Sequence, residues 1–221
     1  MGKTWLWWSS GKDSTWALRT LRGDPRYTVD ALVTTINAAA DRVAMHAVRT
    51  ELVRAQAEAV GLPLHIVEIP YPCPNGAYEA AAGRLIEDAE GQGVTHMAFG
   101  DLFLEDIRAY RENLLGKSPI EPIFPLWQRD TGELAWEMLD DGIGAVLTCI
   151  DPKVLDRSFV GRTFDQRLLE DLPTGVDPCG ENGEFHTFVH TAPGFASPVG
   201  VEVGEVVERG GFVFADVLPH P

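Results

Sequence analysis

"WWSSGKDSTWAL", residues 7–18, decides how this chain is read. The aromatic-rich run Lys3 to Trp8 has the composition of a buried strand. Ser14 to Arg22 then places Leu18 and Leu21 on one face and Arg19 and Arg22 elsewhere, as in a helix. The loop between them ends at a helix N-terminus, where unpartnered N–H groups and the positive end of the macrodipole favour an anion. Gly11 allows close backbone approach, Ser9, Ser10 and Ser14 offer hydroxyls, and Lys12 adds charge. These residues make a phosphate cradle. The Walker A pattern is absent, since it requires two spaced glycines and a hydroxyl after the lysine, where this chain has Asp13. An aspartate in an anion site points to a magnesium ion held beside the phosphates. The plain alternative is a polar turn with Ser9 or Ser10 capping the helix.

"SSGKDS" resembles the S-G-G-K-D-S loop of the PP-loop ATP pyrophosphatases, which cleave ATP between its α and β phosphates. Ser10 stands where the commonest form of that loop has glycine.

A chain of 221 residues with 45% apolar content can hold one large α/β domain, with or without a small appendage. No apolar stretch approaches the ~18 residues that span a membrane, and no signal-peptide pattern opens the chain. Cys73, Cys149 and Cys179 lack C-x-x-C spacing, which argues against a disulfide framework or zinc ribbon and for the cytoplasm. With 18 basic against 33 acidic residues, the net charge of −15 disfavours a nucleic-acid partner.

Further strands are expected at Thr28 to Asn37, Leu64 to Ile69 and Val94 to Gly100, with helices at Ala47 to Gly61 and Ala77 to Glu90. This alternation predicts a doubly wound parallel sheet in an α/β domain over residues 1–120. Ligands of such sheets bind beyond the carboxyl ends of the strands, where the serine-rich loop lies. Prolines in Ser118 to Trp127 mark an extended crossover into a smaller C-terminal α+β lobe over residues 121–221. That lobe should hold a helix over Asp130 to Gly142 with Asp130 and Glu133 at capping-box spacing, and a strand "IGAVLTCI". A helix over Arg157 to Glu170 and a hairpin turning at "RGG" complete it.

Gly100 and Asp101 fall at the sheet's carboxyl edge, facing the nucleotide. The later charges Glu105, Asp106, Arg108 and Arg111 fit a solvated helix with i,i+3 and i,i+4 pairs equally well. "PCGENGEFHTFV" (178–189) crowds Cys179, Glu181, Glu184 and His186 around Gly180 and Gly183. Metal binding lacks a standard ligand spacing there. A Cys179 nucleophile with His186 as base and a plain polar turn are two further readings. A substrate-binding and acid/base loop fits best, because two carboxylates suit ammonia or an amine.

Taken in order, S-x-G-K-D-S, Met45-His46, "GDLFLEDIRAYRE", "FPLW" and "CGENGEFHT" look like the diphthine–ammonia ligase family, over roughly residues 3 to 190. Relatives show E-G-G-E-Y-E-T where this chain has Glu181-Asn182-Gly183-Glu184-Phe185-His186-Thr187. The resemblance implies a HUP-type (adenine nucleotide α-hydrolase-like) fold and an ATP- and Mg2+-dependent amide-forming ligase. A carboxylate, protein-borne in the namesake reaction, would be activated as an acyl-adenylate with release of pyrophosphate. Ammonia would then displace AMP. Lys12 would contact the phosphates, Asp13 would help hold the metal, and Thr34, Thr35 and Ile36 would flank the adenosine. Cys179, Gly180, Glu181, Asn182, Gly183, Glu184, His186 and Thr187 would close over the acceptor. Glu181 and Glu184 are expected to do the acid/base work, and His186 to change charge near neutral pH. A homodimer is left open. The rival readings are a PP-loop tRNA-modifying enzyme and a universal-stress-type nucleotide-binding module without turnover.

Overall fold

The first strand, β1 (Gly2–Trp7), shows why the sheet is covered on both sides. Side chains alternate along a strand, so Trp5 and Trp7 enter one core while Leu6 and the following Trp8 enter another. The structure, a computed structural model, describes residues 1–43 and 46–220. Met45 of the Met45-His46 pair lies outside those residues.

β1 pairs in parallel with β2 (Tyr27–Asn37) on one side and β5 (His96–Ala98) on the other. β4 (Leu64–Ile69) extends the sheet beyond β2, and β6 (Glu121–Ile123) extends it beyond β5. The short β3 (Arg42–Val43) alone runs antiparallel, against the end of β2. α1 (Lys12–Arg22) and α2 (Thr50–Val60) bury Ala17, Leu18, Leu21, Leu52 and Val53 on one face. α3 (Asn75–Gly91) and α4 (Glu105–Leu115) bury Ala82, Ile86 and Leu115 on the other. The expected doubly wound architecture is present. β3 and β6 are too short to leave a periodic signal.

The proline-rich segment first closes the parallel sheet with β6 and then leads to α5 (Thr131–Asp140). Asp130 caps α5, its carboxylate accepting from the Glu133 N–H at 2.9 Å. A second, antiparallel sheet follows in the order β8–β7–β10–β9: β7 (Gly144–Ile150), β8 (Phe185–Thr191), β9 (Val201–Arg209) and β10 (Phe212–Pro219). Gly210 and Gly211 turn the last hairpin with φ of 62° and 85°, the left-handed pair a two-residue turn needs. The helix expected over Arg157 to Glu170 is instead a 3₁₀ turn, Arg157–Phe159, and a short α6, Gln166–Asp171. Gly161 at φ 80° breaks the run, and Asp165 caps α6 by accepting from the Leu168 N–H. Among the described residues, no helix is long and apolar enough to cross a membrane.

One core joins the two sheets, running from Leu6 and Leu32 to Leu134, Phe164, Phe185 and Phe188. An ionic clamp adds to it at the rim. Asp216 of β10 accepts from Arg49 (2.6 and 3.1 Å) and from Arg42 (2.8 Å), and Arg42 also holds the Ala47 carbonyl. Burial alone would raise the Asp216 pKa, but the two guanidiniums outweigh it and hold the group at about 2. Its stabilising contribution is therefore complete above the ordinary carboxylate range and is lost as pH falls from about 4 towards 2. Asp216→Asn should cost about 1–2 kcal/mol at pH 7 and only about a third of that at pH 2.5 in urea unfolding. An equal cost at both values would contradict the clamp.

Candidate functional site

The phosphate-cradle loop lies between β1 and α1. Its N-cap position is Gly11 with no side-chain cap, so neither Ser9 nor Ser10 caps the helix. Ser9 Oγ instead accepts from the Gly11 N–H (3.3 Å) and lies 3.2 Å from Ser14 Oγ. Ser14 and Thr15 hydroxyls donate to the Gly11 carbonyl at 3.0 and 2.9 Å. A Cβ on Gly11 would meet His46 Cε1 at 3.0 Å and the Thr187 carbonyl at 3.1 Å. One on Gly100 would lie 3.1 Å from the Asp13 carbonyl carbon and the Ser14 nitrogen, so Gly100 lets the end of β5 press against the first turn of α1. The carboxyl edge thus brings Gly100 to the loop that the sequence singles out. Thr34, Thr35 and Ile36 occupy the last turnings of β2. Thr34 Oγ1 is buried with no partner among the described residues, and Ile36 packs into the shared core.

Lys12 is only 1% exposed. Its ammonium reaches both Asp13 carboxylate oxygens (2.9 and 3.0 Å) and the Cys179 carbonyl, and lies 5.3 Å from the Phe185 ring and 5.9 Å from that of Phe164. Burial would lower its pKa, but Asp13 and the surrounding acidic groups raise it, so the side chain stays charged. Burial raises Asp13, against the pull of Lys12 and with help from Asp177. The Lys12 N–H donates to Thr187 Oγ1 at 3.1 Å. The loop is therefore bonded to both sheets.

The glutamate loop carries its own framework. Gly180 adopts φ 70°, and a Cβ there would meet the Phe185 carbonyl at 2.7 Å. Glu184 is buried, accepting from the Asp177 N–H (3.0 Å) and Asn182 Nδ2 (2.9 Å), while its Oε2 has no partner among the described residues. Glu181 donates its N–H to Asp177 (2.8 Å) and accepts from the Leu102 N–H at 2.7 Å. That bond hooks the loop over the end of β5, next to Asp101. Burial pushes Glu181 up to about 7; Asp13 and Asp101 add to the rise and the Leu102 N–H opposes it. Burial raises Asp101 too, against Arg111, whose Nε lies 3.6 Å away. Arg108 and Glu112 form the exposed i,i+4 pair of a solvated helix, whereas Arg111 turns inward over Phe99 and donates to Tyr78 Oη.

His186 opens the second face of the site, its ring 4.5 Å from that of His46. His46 Nδ1 lies 3.2 Å from the Thr187 carbonyl. Burial and then the neighbouring His186 hold His46 well below its ordinary pKa. Burial, with Lys12 nearby, pushes His186 down to about 4. His186 is therefore neutral at pH 7 and does not change charge there, contrary to the expectation from its free pKa. His46 enters the sequence reading only within the Met45-His46 motif, with no role of its own, and Asp177 is not singled out. Asp177 carried a signal in standing just ahead of the glutamate loop.

The Cys179 thiol is buried and donates to the Thr131 carbonyl at 3.5 Å; burial raises its pKa, the opposite of what a nucleophile needs. Its carbonyl, not its sulfur, faces Lys12. Folded Cys179→Ser should keep turnover within about threefold. A loss beyond about a hundredfold would restore the nucleophile reading. Among the described residues no group of three His, Cys, Asp or Glu could hold a metal ion unaided. Asp13, with a quarter (26%) of its side chain exposed, is the hard oxygen donor that could share an ion with nucleotide phosphates.

Comparison with known proteins bears on this geometry. The family model described as the diphthamide synthase N-terminal domain matches residues 2–118, and that of the diphthamide synthase C-terminal domain matches residues 130–213. The diphthine–ammonia ligases of Bos taurus and Homo sapiens are each 30% identical over 176 residues, covering 73% of this chain and 66% of the relative. That of Danio rerio is 28% identical over 177 residues, 73% of this chain and 69% of its own length. The chain spans about two thirds of the length of these relatives.

Proposed function

The chain belongs to the diphthamide synthase family, and from that premise we propose that it is an ATP-dependent ligase that converts a carboxylate to an amide. The single observation that supports this most is the hook from Glu181 to the Leu102 N–H, which sets an acidic loop directly beside the phosphate cradle. A binding module without turnover needs no such second site. The acidic balance of 33 to 18 speaks against a tRNA substrate.

In this reading ATP lies along the carboxyl edge, with its phosphates at Ser9 to Ser14 and its adenosine near Thr34 to Ile36. Asp13 would hold Mg2+ together with the phosphates, and the ion would supply charge neutralisation for the departing pyrophosphate. Lys12 stays cationic behind the first turn of α1, so positive charge is fixed in place before pyrophosphate leaves. Residues 121–221 act as the acceptor lobe. Glu184 shapes the glutamate loop from within, and Glu181, with a pKa of about 7, can give or take a proton at neutral pH. The acceptor carboxylate is activated as an acyl-adenylate and ammonia displaces AMP. The curated relatives' name points to diphthine, a protein-borne residue, as that acceptor. The free thiols of Cys73, Cys149 and Cys179 suit a reducing compartment such as the cytoplasm.

Incubation with ATP, isotopically labelled ammonium and a diphthine-bearing protein tests this. Label should enter the diphthine as an amide only when ATP is present. Nucleotide turnover without incorporation from this or any other carboxylate would count against ligase chemistry.

A further inference from the structure

Ser10 carries an unusual backbone. Its φ is 72°, in the left-handed region, although it has a Cβ and is completely buried. For such a residue that region is disfavoured by roughly 5- to 30-fold in population, so something outside the residue must hold it. Its own hydroxyl does not, because Ser10 Oγ has no partner among the described residues. Its carbonyl is held twice. The Val189 N–H of β8 donates to it at 3.0 Å, and Gln56 Nε2 donates at 3.0 Å.

Gln56 projects from the middle of α2 into the core and is fully buried. Buried amides persist where their polar atoms are partnered, and these are. Oε1 accepts from the Trp8 indole N–H at 2.8 Å. Nε2 reaches the Val189 carbonyl at 2.6 Å as well as that of Ser10. One side chain thus joins the last residue before the loop, the loop itself and the strand that carries His186 and Thr187. No other side chain reaches the Ser10 carbonyl among the described residues, and the Val189 donor is backbone.

We infer that Gln56 is a positioning residue for the phosphate loop: its carboxamide, braced by Trp8, holds Ser10 in the left-handed conformation and locks the loop to β8. This rests on the reading of residues 9–14 as the nucleotide loop. Without the amide, Ser10 relaxes to negative φ in most molecules and only the remaining fraction presents the cradle. Apparent affinity falls by that fraction. A glycine at position 10 adopts positive φ without the steric cost, so the loop no longer depends on Gln56.

The test is a mutant cycle on the full chain, read by calorimetric ATP titration alongside thermal melting. Gln56→Met should weaken ATP about tenfold in the wild-type background and less than about threefold in the Ser10→Gly background. The melting temperature should fall in both, because Trp8 and Val189 lose their partner either way. A merely structural Gln56 predicts equal losses of affinity in the two backgrounds, and that result overturns the inference. If Gln56→Met does not fold, Gln56→Glu keeps the shape and the acceptor for Trp8 and is judged by the same criterion. Should neither fold alone, recovery of a folded ATP-binding protein by adding Ser10→Gly supports the inference and failure to recover overturns it. A wild-type chain that binds no ATP removes the nucleotide-loop reading and this inference together. ATP binding without coupling removes the inference alone.

Discussion

Lys12→Ala should lose both nucleotide binding and fold stability, and the two losses should be separable. The ammonium is buried against Asp13 and the Cys179 carbonyl, so truncation leaves a carboxylate without its partner. Breaking a buried pair costs about 3–5 kcal/mol, and the partial exposure of Asp13 places this one near 3 kcal/mol. Weakening of ATP by about 1.5–3 kcal/mol is expected in addition, the worth of a charge-assisted contact. The double variant Lys12→Met, Asp13→Asn removes both charges and should recover most of the stability while ATP binding stays weak. If the double variant binds ATP as wild type does, Lys12 serves the fold alone.

The second large effect concerns Glu181. Glu181→Gln keeps an oxygen for the Leu102 N–H and loses only the titratable group, so ATP affinity should stay within about threefold while kcat falls about a hundredfold. An interaction needed only in the acceptor step lowers turnover without altering ground-state nucleotide binding. Stability adds an independent check. The folded pKa of about 7 lies above the ordinary carboxylate value, so the fold favours the protonated acid and wild type loses stability as pH rises from about 4.5 through 7. Glu181→Gln has no such loss, and its melting temperature should gain on wild type across that window. Loss of ATP binding in Glu181→Gln and Glu184→Gln alike would assign the loop to the nucleotide instead.

The parallel sheet was legible in the sequence because its strands and helices differ in period and composition, and the position of the serine-rich loop followed from the end of the first strand. Asp130 as a cap and Gly210-Gly211 as a turn were legible because each depends on local chemistry. The hook from Glu181 to Leu102 was not, since it joins residues 79 positions apart by a backbone donor that any residue supplies. The suppressed pKa of His186 arises from burial, with Lys12 nearby, which no local pattern announces. Gln56 left a faint mark, a polar residue on the stripe of Leu52, Val53 and Val60, but its meaning needed the positive φ of Ser10.

The central claim is that this loop cleaves ATP between the α and β phosphates to activate a carboxylate. ATP labelled at the α phosphate, incubated with the protein, ammonium and a diphthine-bearing acceptor, should yield labelled AMP with one pyrophosphate for each amide formed. Labelled ADP with inorganic phosphate would contradict it.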